Sequence, residues 1–238
     1  MSQTIELQHS LTAHATSSSD VVVRVDTQPV EAVRSTLEAL GAVVGVQAVV
    51  VVDLSGRPEI AGLATEFGAL YAATDPADRN GLRVMVMVVR TPQFGLLDAG
   101  DVPGPEFVSL LASGLASPEV AIVQAGSRRG LPSIVRPAVW TGSGSLVRTE
   151  VLRGIVVGMQ SARAAHPAVG VSVLAMGGRI GTAPRAQVLQ SPRRTRAERL
   201  RATSRMLFGR HGVFRSRTLR FGERMAVLSR VARPLHIA

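Results

Sequence analysis

The fold is decided by residues 46 to 74, which read VQAVVVVDLSGRPEIAGLATEFGALYAAT. The nearly continuous valine run from Val46 to Val52 is typical of a parallel strand that is buried on both faces. Pro58 then suits the first position of a helix whose apolar residues recur at helical spacing, and Gly68 ends that helix before a second apolar run. The segment therefore predicts a strand, a helix and a strand, which is the repeating unit of a parallel α/β sheet.

The same alternation continues in both directions, from Asp20 to about Ala175. Further strands are predicted at Val21 to Val25, Ala69 to Thr74, Val84 to Val89, Val120 to Gln124 and Val169 to Ala175. Further helices are predicted from Pro29 to Leu40, near Pro105 to Ala116 and from about Leu146 to Ala165. This order predicts an α/β fold, a doubly wound and mostly parallel sheet of the Rossmann-like type.

Charge divides the chain into regions. Up to Ile180 there are 13 arginines and 15 acidic residues, whereas from Gly181 onward there are 14 arginines and 2 acidic residues. We expect a flexible N-terminal segment (residues 1 to 19), a Rossmann-like domain (20 to 180) and an arginine-rich, helical C-terminal extension (181 to 238). The N-terminus lacks the features of a secretory signal, and the longest apolar run is too short for a transmembrane segment. A cytoplasmic protein is therefore expected.

Missing residue types exclude several kinds of chemistry. The chain contains neither cysteine nor lysine, which excludes disulfides, thiolate metal sites, thiol nucleophiles and lysine-based catalysis. The histidines are scattered without the spacing of metal ligands, so no metal site is expected. Asp98 and Asp101 flank Gly100 and are interpreted as loop residues rather than as an acid/base pair.

Residues 20 to 238 resemble a shortened member of the short-chain dehydrogenase/reductase family. VVVVDLSG, at Val49 to Gly56, and EIAGLATEFGALYAATDPAD, at Glu59 to Asp78, look like that family's second strand, second helix and third strand. The resemblance implies that Asp53 and Asp75 are the cofactor-binding residues, near the ribose and the adenine of a nicotinamide dinucleotide.

A second stretch corresponds to the family's catalytic region. Residues 120 to 155, VAIVQAGSRRGLPSIVRPAVWTGSGSLVRTEVLRGI, are similar to the fifth strand, the serine turn and the helix of the Tyr-x-x-x-Lys pair. The resemblance puts Ser127 at the serine, Trp140 at the tyrosine and Gly144 at the lysine. An indole and a glycine cannot exchange protons, and the turn at residues 26 to 29 lacks the glycines that a pyrophosphate needs. These positions are therefore interpreted as vestigial.

The expected function is that of a catalytically degenerate homologue, a pseudoenzyme or partner subunit in a homo- or hetero-oligomer, with no cofactor. One alternative is an active NAD(P)-dependent oxidoreductase with atypical residues, which would use NAD or NADP. A second alternative is a nucleic-acid-binding protein, or one with another anionic partner, acting through the arginine-rich extension. The arginines concerned are Arg193, Arg194, Arg196, Arg199, Arg201 and Arg205.

Overall fold

The structure is a computed structural model of the chain. It describes residues 18 to 74, 78, 81 to 127, 140, 142 to 158, 166 to 189 and 235 to 236. Several predicted features lie outside these described residues. They are the N-terminal segment up to residue 17, Asp75, the arginine cluster from Arg193 to Arg205 and the helices predicted in the C-terminal extension.

The first five elements follow the prediction. They are β1 (Ser19–Val25), α1 (Val30–Leu40), β2 (Val46–Asp53), α2 (Pro58–Glu66) and β3 (Leu70–Ala73). β2 pairs in parallel with β1 on one side and with β3 on the other. The valines at the centres of β1 and β2 are fully buried, because both faces of the sheet are covered.

The strand predicted at Val84 to Val89 is wrong, because these residues belong to a helix, α3 (Leu82–Val88). The buried residues of α3, at helical spacing, are Leu82, Met85 and Val86. The carboxylate of Asp78 accepts hydrogen bonds from the backbone N–H groups of Arg83 and Val84, at 3.0 and 3.3 Å. These bonds satisfy N–H groups at the start of the helix, which contains a continuous apolar run of the kind that also occurs in buried strands.

The next four elements are β4 (Gln93–Asp98), β5 (Val102–Pro103), α4 (Phe107–Gly114) and β6 (Val120–Ser127). α4 and β6 confirm the predicted helix and strand, whereas β4 occupies residues for which no strand is predicted. β4 pairs in parallel with β1. Gly95 suits this central strand, since a Cβ at that position would lie 3.2 Å from the side chain of Val21.

The remaining elements are β7 (Ser145–Arg148), α5 (Thr149–Gly158), α6 (His166–Ala175), β8 (Arg179–Leu189) and β9 (Leu235–His236). The helix predicted from Leu146 thus begins as a strand. The strand predicted at Val169 to Ala175 is wrong, because these residues form most of α6. A short apolar run does not distinguish a strand from a buried helix. β8 also runs across residue 181, where the C-terminal extension is predicted to begin.

The sheet has the strand order β3-β2-β1-β4-β7-β6-β8-β5, and β9 pairs with β8. β7 is antiparallel to both of its neighbours, β4 and β6, and β5 is antiparallel to β8. The prediction of an α/β fold is therefore confirmed. The parallel, Rossmann-like part is β3-β2-β1-β4, and the other half of the sheet is mixed.

Two apolar cores lie on opposite faces of the sheet. One contains buried residues of α3, α5 and α6, and the other contains buried residues of α1, α2 and α4. Alternate residues of the central strands contribute to the two cores, as in β1, where Val22 belongs to the first and Val21 and Val23 to the second. With both faces covered, a ligand has access to the sheet at the ends of its strands.

Candidate functional site

The candidate site lies at the carboxyl ends of β1 and β4. From β1 the chain passes through α1 to β2 on one side, whereas from β3 it passes through α3 to β4 on the other side of β1. Such a reversal of strand order opens a crevice beyond the carboxyl ends of the strands, where α/β sheets bind ligands. β1 ends at Val25, β2 at Asp53 and β4 at Asp98.

Arg24 and Asp98 form an ion pair across this reversal point. They lie directly opposite each other in the ladder between β1 and β4. Nε and Nη2 of Arg24 donate hydrogen bonds to Oδ1 of Asp98, at 2.9 and 2.7 Å. The two side chains are 17% and 11% exposed. The pair is therefore shielded more than an ordinary surface salt bridge, yet it reaches solvent at the crevice.

Asp101 is held by the segment that precedes β7. The hydroxyl of Ser143 donates a hydrogen bond to Oδ2 of Asp101 and accepts one from the backbone N–H of Asp98, at 2.7 Å. Asp101 and Ser143 are both buried. The backbone N–H of Gly100 donates to the hydroxyl of Thr36 in α1, at 2.8 Å. The turn from Asp98 to Asp101 is thus fixed on two sides.

Asp53 ends β2, which pairs with β1 on the side away from β4, and is buried. Its Oδ1 accepts hydrogen bonds from the backbone N–H and the hydroxyl of Ser55, at 2.8 and 2.5 Å. Its Oδ2 accepts one from the hydroxyl of Tyr71, at 3.1 Å. Partial burial, the hydrogen bond to Asp53 and the negative charge of Asp53 raise the pKa of Tyr71 above its usual value. Asp53 is thus an oriented carboxylate at the carboxyl end of β2, on the face of the sheet opposite to Arg24, because it pairs with Val25.

Arg57 connects the loops that follow β1 and β2. Its Nη2 donates to the carbonyl oxygen of Gln28, at 2.6 Å, and its Nε donates to the hydroxyl of Ser55, at 2.9 Å. The side-chain oxygen of Gln28 accepts a hydrogen bond from the backbone N–H of Asp26, at 2.7 Å. These bonds hold the turn after β1 in place without the glycines of a dinucleotide-binding loop.

The positions that the dehydrogenase resemblance implies lie in a loop and at strand ends rather than on one helix. Trp140 is fully buried, and its Nε1 donates to the hydroxyl of Ser145 at 3.0 Å. Gly144 has a φ of +71° immediately before β7, and its N–H donates to the carbonyl oxygen of Leu96 at 2.7 Å. Trp140 and Gly144 therefore do not share a helix. Ser127 is the last residue of β6, and Asp75 lies outside the described residues.

Sequence reasoning did not identify Arg24 or Ser143 as site residues and assigned Asp98 and Asp101 to a loop. Arg24 lies within a valine-rich strand, and Ser143 is 42 residues from Asp101, so no local spacing connects them. The available signal was the sequence DAGD, at Asp98 to Asp101, directly after the apolar residues of β4. Charged residues after a buried parallel strand point to the ligand-binding edge of a sheet.

The described part of the chain contains neither a metal-ligand cluster nor a membrane-spanning helix. Among those residues, no group of three or more His, Cys, Asp or Glu side chains is arranged so that it could hold a metal ion. No helix within the same ranges is both long and apolar enough to cross a membrane.

Solved structures with a similar fold are glycosyltransferases of the GT-A fold. The mannosyltransferase PcManGT from Pyrobaculum calidifontis, in complex with GDP-mannose and Mn²⁺, has a TM-score of 0.69 and 14% identity, over 88% of this chain and 68% of its own. Glucosyl-3-phosphoglycerate synthase from Mycobacterium tuberculosis, in complex with Mn²⁺, UDP-glucose and phosphoglyceric acid, has a TM-score of 0.61 and 16% identity, over 93% and 87%.

TarS from S. aureus, residues 1 to 349, has a TM-score of 0.55 and 13% identity, over 89% of this chain and 78% of its own. No family model and no curated protein sequence matches the chain. At these identities the likeness establishes the fold alone.

The likeness corrects the dehydrogenase interpretation. The similar structures are glycosyltransferases rather than short-chain dehydrogenases, so the resemblance, the predicted pseudoenzyme and the oxidoreductase alternative are wrong. The expectation of no cofactor, or of NAD or NADP in an active protein, is wrong for the same reason, because the mannosyltransferase and the synthase were solved with nucleotide sugars and Mn²⁺ and not with a dinucleotide. Nucleic-acid binding gains no support. The physical cause of the error is the parallel half of the sheet, which dinucleotide-binding and GT-A folds share.

Proposed function

We propose that this chain is a glycosyltransferase-like protein that binds a nucleotide sugar at the carboxyl ends of β1, β2 and β4. The observation that carries the proposal is the position of Arg24, Asp98 and Asp101 at the strand reversal, with Asp53 at the end of the adjoining strand β2, in a fold shared with enzymes solved with GDP-mannose or UDP-glucose. A nucleoside diphosphate is the part that those two ligands have in common.

The site offers different groups to the two ends of a nucleoside diphosphate. The carboxylate of Asp53 is a hydrogen-bond acceptor, oriented by Ser55 and Tyr71, for the ring N–H groups of a base. Arg24 lies on β1, between β2 and β4, and provides positive charge for the diphosphate. Asp53 and Asp98 end strands that are two positions apart, about 10 Å from the spacing of strands in a sheet.

The reaction of this class transfers a sugar. The bond between the sugar and the diphosphate breaks, the nucleoside diphosphate leaves with the electron pair, and an acceptor hydroxyl bonds to the sugar and gives its proton to the departing diphosphate or to water. The protein's contribution on the donor side is to bind the diphosphate and stabilise the negative charge that develops on it. Fixed positive groups in a shielded crevice are suited to this task.

A divalent cation, as in the neighbours, does not fit the donor set of this chain. Oδ1 of Asp98 is ion-paired with Arg24, and Oδ2 of Asp101 takes the hydroxyl of Ser143. A cation at Asp98 would lie beside the guanidinium of Arg24, whose charge repels it. Within the described ranges no third carboxylate or histidine joins these two as a ligand set. No step of the reaction is therefore assigned to a metal.

Calorimetric titration of the full chain tests the proposal. We expect UDP-glucose or GDP-mannose to bind with a Kd below about 1 mM, and NADH to bind more weakly or not at all. Each titration is run with Mn²⁺ and with EDTA. If neither nucleotide sugar binds under either condition, the proposed function is wrong.

A pair of variants locates the bound nucleotide. Asp53→Asn removes the carboxylate at the end of β2 and should weaken binding about tenfold, because a charged acceptor is replaced by a neutral amide. The matched control is Glu119→Gln, which removes an exposed carboxylate just before β6, at the opposite edge of the sheet. Equal losses in the two variants would argue against a site at the carboxyl edge.

A further inference from the structure

The guanidinium of Arg24 occupies a position from which it excludes a divalent cation. It is fixed at the strand reversal by two hydrogen bonds to one oxygen of Asp98. We infer that Arg24 itself is the cation that binds the diphosphate of the nucleotide in this chain, so that nucleotide binding does not require a divalent metal. The inference rests on the proposed function and specifies how the same site meets the charge of its ligand.

The backbone fixes where the charge of Arg24 lies. Arg24 and Asp98 are partners in the ladder, so their side chains leave the same face of the sheet. Arg24 is the residue before the last of β1, and Asp98 is the last of β4, so both lie at the carboxyl edge. The turn after Asp98 is held by hydrogen bonds to Ser143 and Thr36. Asp98 therefore stays in place and keeps the guanidinium of Arg24 at this position. Asp98 is therefore a positioning residue for Arg24.

The chemistry of the guanidinium suits a diphosphate. Arginine carries five N–H donors in a planar fork, which matches two phosphate oxygens, and it stays charged at every relevant pH. Phosphate and carboxylate are both anions that such a fork binds, and the bonds to Asp98 hold the guanidinium in a fixed orientation. A hydrogen bond to a charged group in a partly shielded crevice is stronger than one at the surface.

Three carboxylates at this edge of the sheet are already bonded within the chain. Asp98 is paired with Arg24, Asp101 accepts from Ser143, and Asp53 accepts from Ser55 and Tyr71. A divalent cation gains affinity by binding carboxylate oxygens, and here it would have to displace the positive charge of Arg24 to do so. This competition disfavours the metal and leaves the arginine as the diphosphate-binding group.

The experiment is a titration of the full chain with UDP and with GDP, in EDTA and in Mn²⁺, for the natural sequence and for Arg24→Met and Arg24→Lys. We expect the natural chain to bind one of the two nucleotides, with Kd values in EDTA and in Mn²⁺ that agree within about twofold. Arg24→Met should lose about tenfold or more in EDTA and regain affinity with Mn²⁺, because the guanidinium that repels a cation is then removed. Arg24→Lys should fall between the two.

Two controls keep the result interpretable. Arg34→Met removes an arginine that pairs with Glu66 on the exposed surface and should bind nucleotide like the natural chain. Circular dichroism shows whether each variant is folded, and if Arg24→Met is not folded, the comparison of EDTA with Mn²⁺ in the natural chain decides alone. Direct titration of the natural chain with Mn²⁺, without nucleotide, should give no binding.

The possible outcomes distinguish the role of Arg24 from the proposed function. Binding that disappears in EDTA and returns with Mn²⁺ in the natural chain overturns the role of Arg24 but leaves the proposed function intact. A folded Arg24→Met variant that binds nucleotide in EDTA as tightly as the natural chain also overturns it. Absence of UDP and GDP binding under both conditions overturns the proposed function, and this inference with it.

Discussion

The indole N–H of Trp140 donates a hydrogen bond of 3.0 Å to the hydroxyl of Ser145, and both residues are fully buried. The hydroxyl of Ser145 donates in turn to the carbonyl oxygen of Gly142. Trp140 therefore fixes the segment that leads into β7 and lies within the apolar core around α6. Its contribution is to the stability of the fold and to the position of the neighbouring Ser143.

Replacing Trp140 tests this assignment. We expect Trp140→Phe to lower the free energy of unfolding by about 1 to 3 kcal/mol, because a buried hydrogen bond and part of the core volume are lost. Denaturant unfolding followed by circular dichroism measures the change, since Trp140 is the chain's single tryptophan and its fluorescence is lost in the variant. An unchanged free energy of unfolding would contradict a structural role.

Alanine substitutions at two glycines distinguish the energetic cost of backbone strain from the cost of steric overlap. Gly144 has a φ of +71°, and a Cβ there would meet no atom closer than 3.8 Å, so Gly144→Ala should cost about 1 to 2 kcal/mol from strain alone. At Gly126 a Cβ would lie 2.7 Å from the carbonyl oxygen of Pro184, so Gly126→Ala should cost about 3 kcal/mol or more. The measurement is the midpoint of denaturant unfolding.

The control for this pair is Gly154→Ala. Gly154 lies in α5, and a Cβ there meets nothing within 4 Å. Alanine favours a helix by about 0.5 to 1 kcal/mol over glycine, so this variant should be at least as stable as the natural chain. A larger loss in Gly144→Ala than in Gly126→Ala would mean that the approach of β6 to Pro184 is not as close as described.

The bond between Ser143 and Asp101 should contribute to stability and to nucleotide binding together. Ser143→Ala removes a hydrogen-bond donor from a buried carboxylate and an acceptor from the backbone N–H of Asp98, which should cost about 1 to 3 kcal/mol. The turn that positions Asp98 is then less restrained, so affinity for the nucleotide should also fall.

A double-mutant cycle with Asp101→Asn measures the coupling between the two side chains, which we expect to be about 0.5 to 3 kcal/mol. Ser109→Ala serves as the reference, because Ser109 is exposed and its hydroxyl donates only to the carbonyl oxygen of Glu106 at the start of its own helix. That variant should change stability by less than about 0.5 kcal/mol. Additive effects of Ser143→Ala and Asp101→Asn would refute the coupling.

The single tyrosine of the chain reports on the state of Asp53. Partial burial and the bonded carboxylate of Asp53 raise the pKa of Tyr71, so its phenolate should form at higher pH than in a free tyrosine. Ultraviolet difference absorbance of the phenolate, titrated with base, measures this directly. Asp53→Asn should move the titration of Tyr71 back toward its usual pKa, and an identical curve in both proteins would contradict the contact.

The same pKa shift has a consequence for stability at alkaline pH. Because the pKa of Tyr71 is raised in the folded chain, the unfolded chain releases this proton first, and above about pH 10 it binds fewer protons than the folded chain. The stabilisation is therefore complete below that pH and is lost as the pH rises toward the folded pKa. Unfolding measured across this range should show a steeper loss of stability in the natural chain than in Tyr71→Phe.

The parallel part of the fold could be predicted because several separate features of its sequence indicate the same elements. The valine runs of β1 and β2, the proline that opens α2 and the glycine that follows it all indicate the same elements. The errors fall on β4 and β7, where no strand is predicted, and on α3 and α6, whose apolar residues are consistent with a strand or with a buried helix. For α3 the deciding contact is the cap from Asp78, a hydrogen bond that the apolar pattern does not reveal.

The candidate site was harder to predict, because its residues come together only through strand pairing. Arg24 meets Asp98 across 74 positions of sequence, and Ser143 meets Asp101 across 42. No periodicity or motif connects residues at such distances. Asp53 differs in this respect, because it directly follows the valine run of β2, so its place at the end of a buried strand can be predicted from the sequence.

Because β5 pairs with a strand that is synthesised much later, the strands of the sheet assemble in a fixed order during synthesis. The pairings among β1, β2, β3 and β4 are complete once residue 98 has emerged, whereas β5 must wait for Val188 and Leu189, and β6 for strands that begin after residue 144. For that interval β4 presents one open edge, and an open strand edge is a template for pairing with another chain. The yield of folded protein is set by two competing rates. One is the pairing of β7 with β4, and the other is the encounter of the open edge of β4 with another nascent chain.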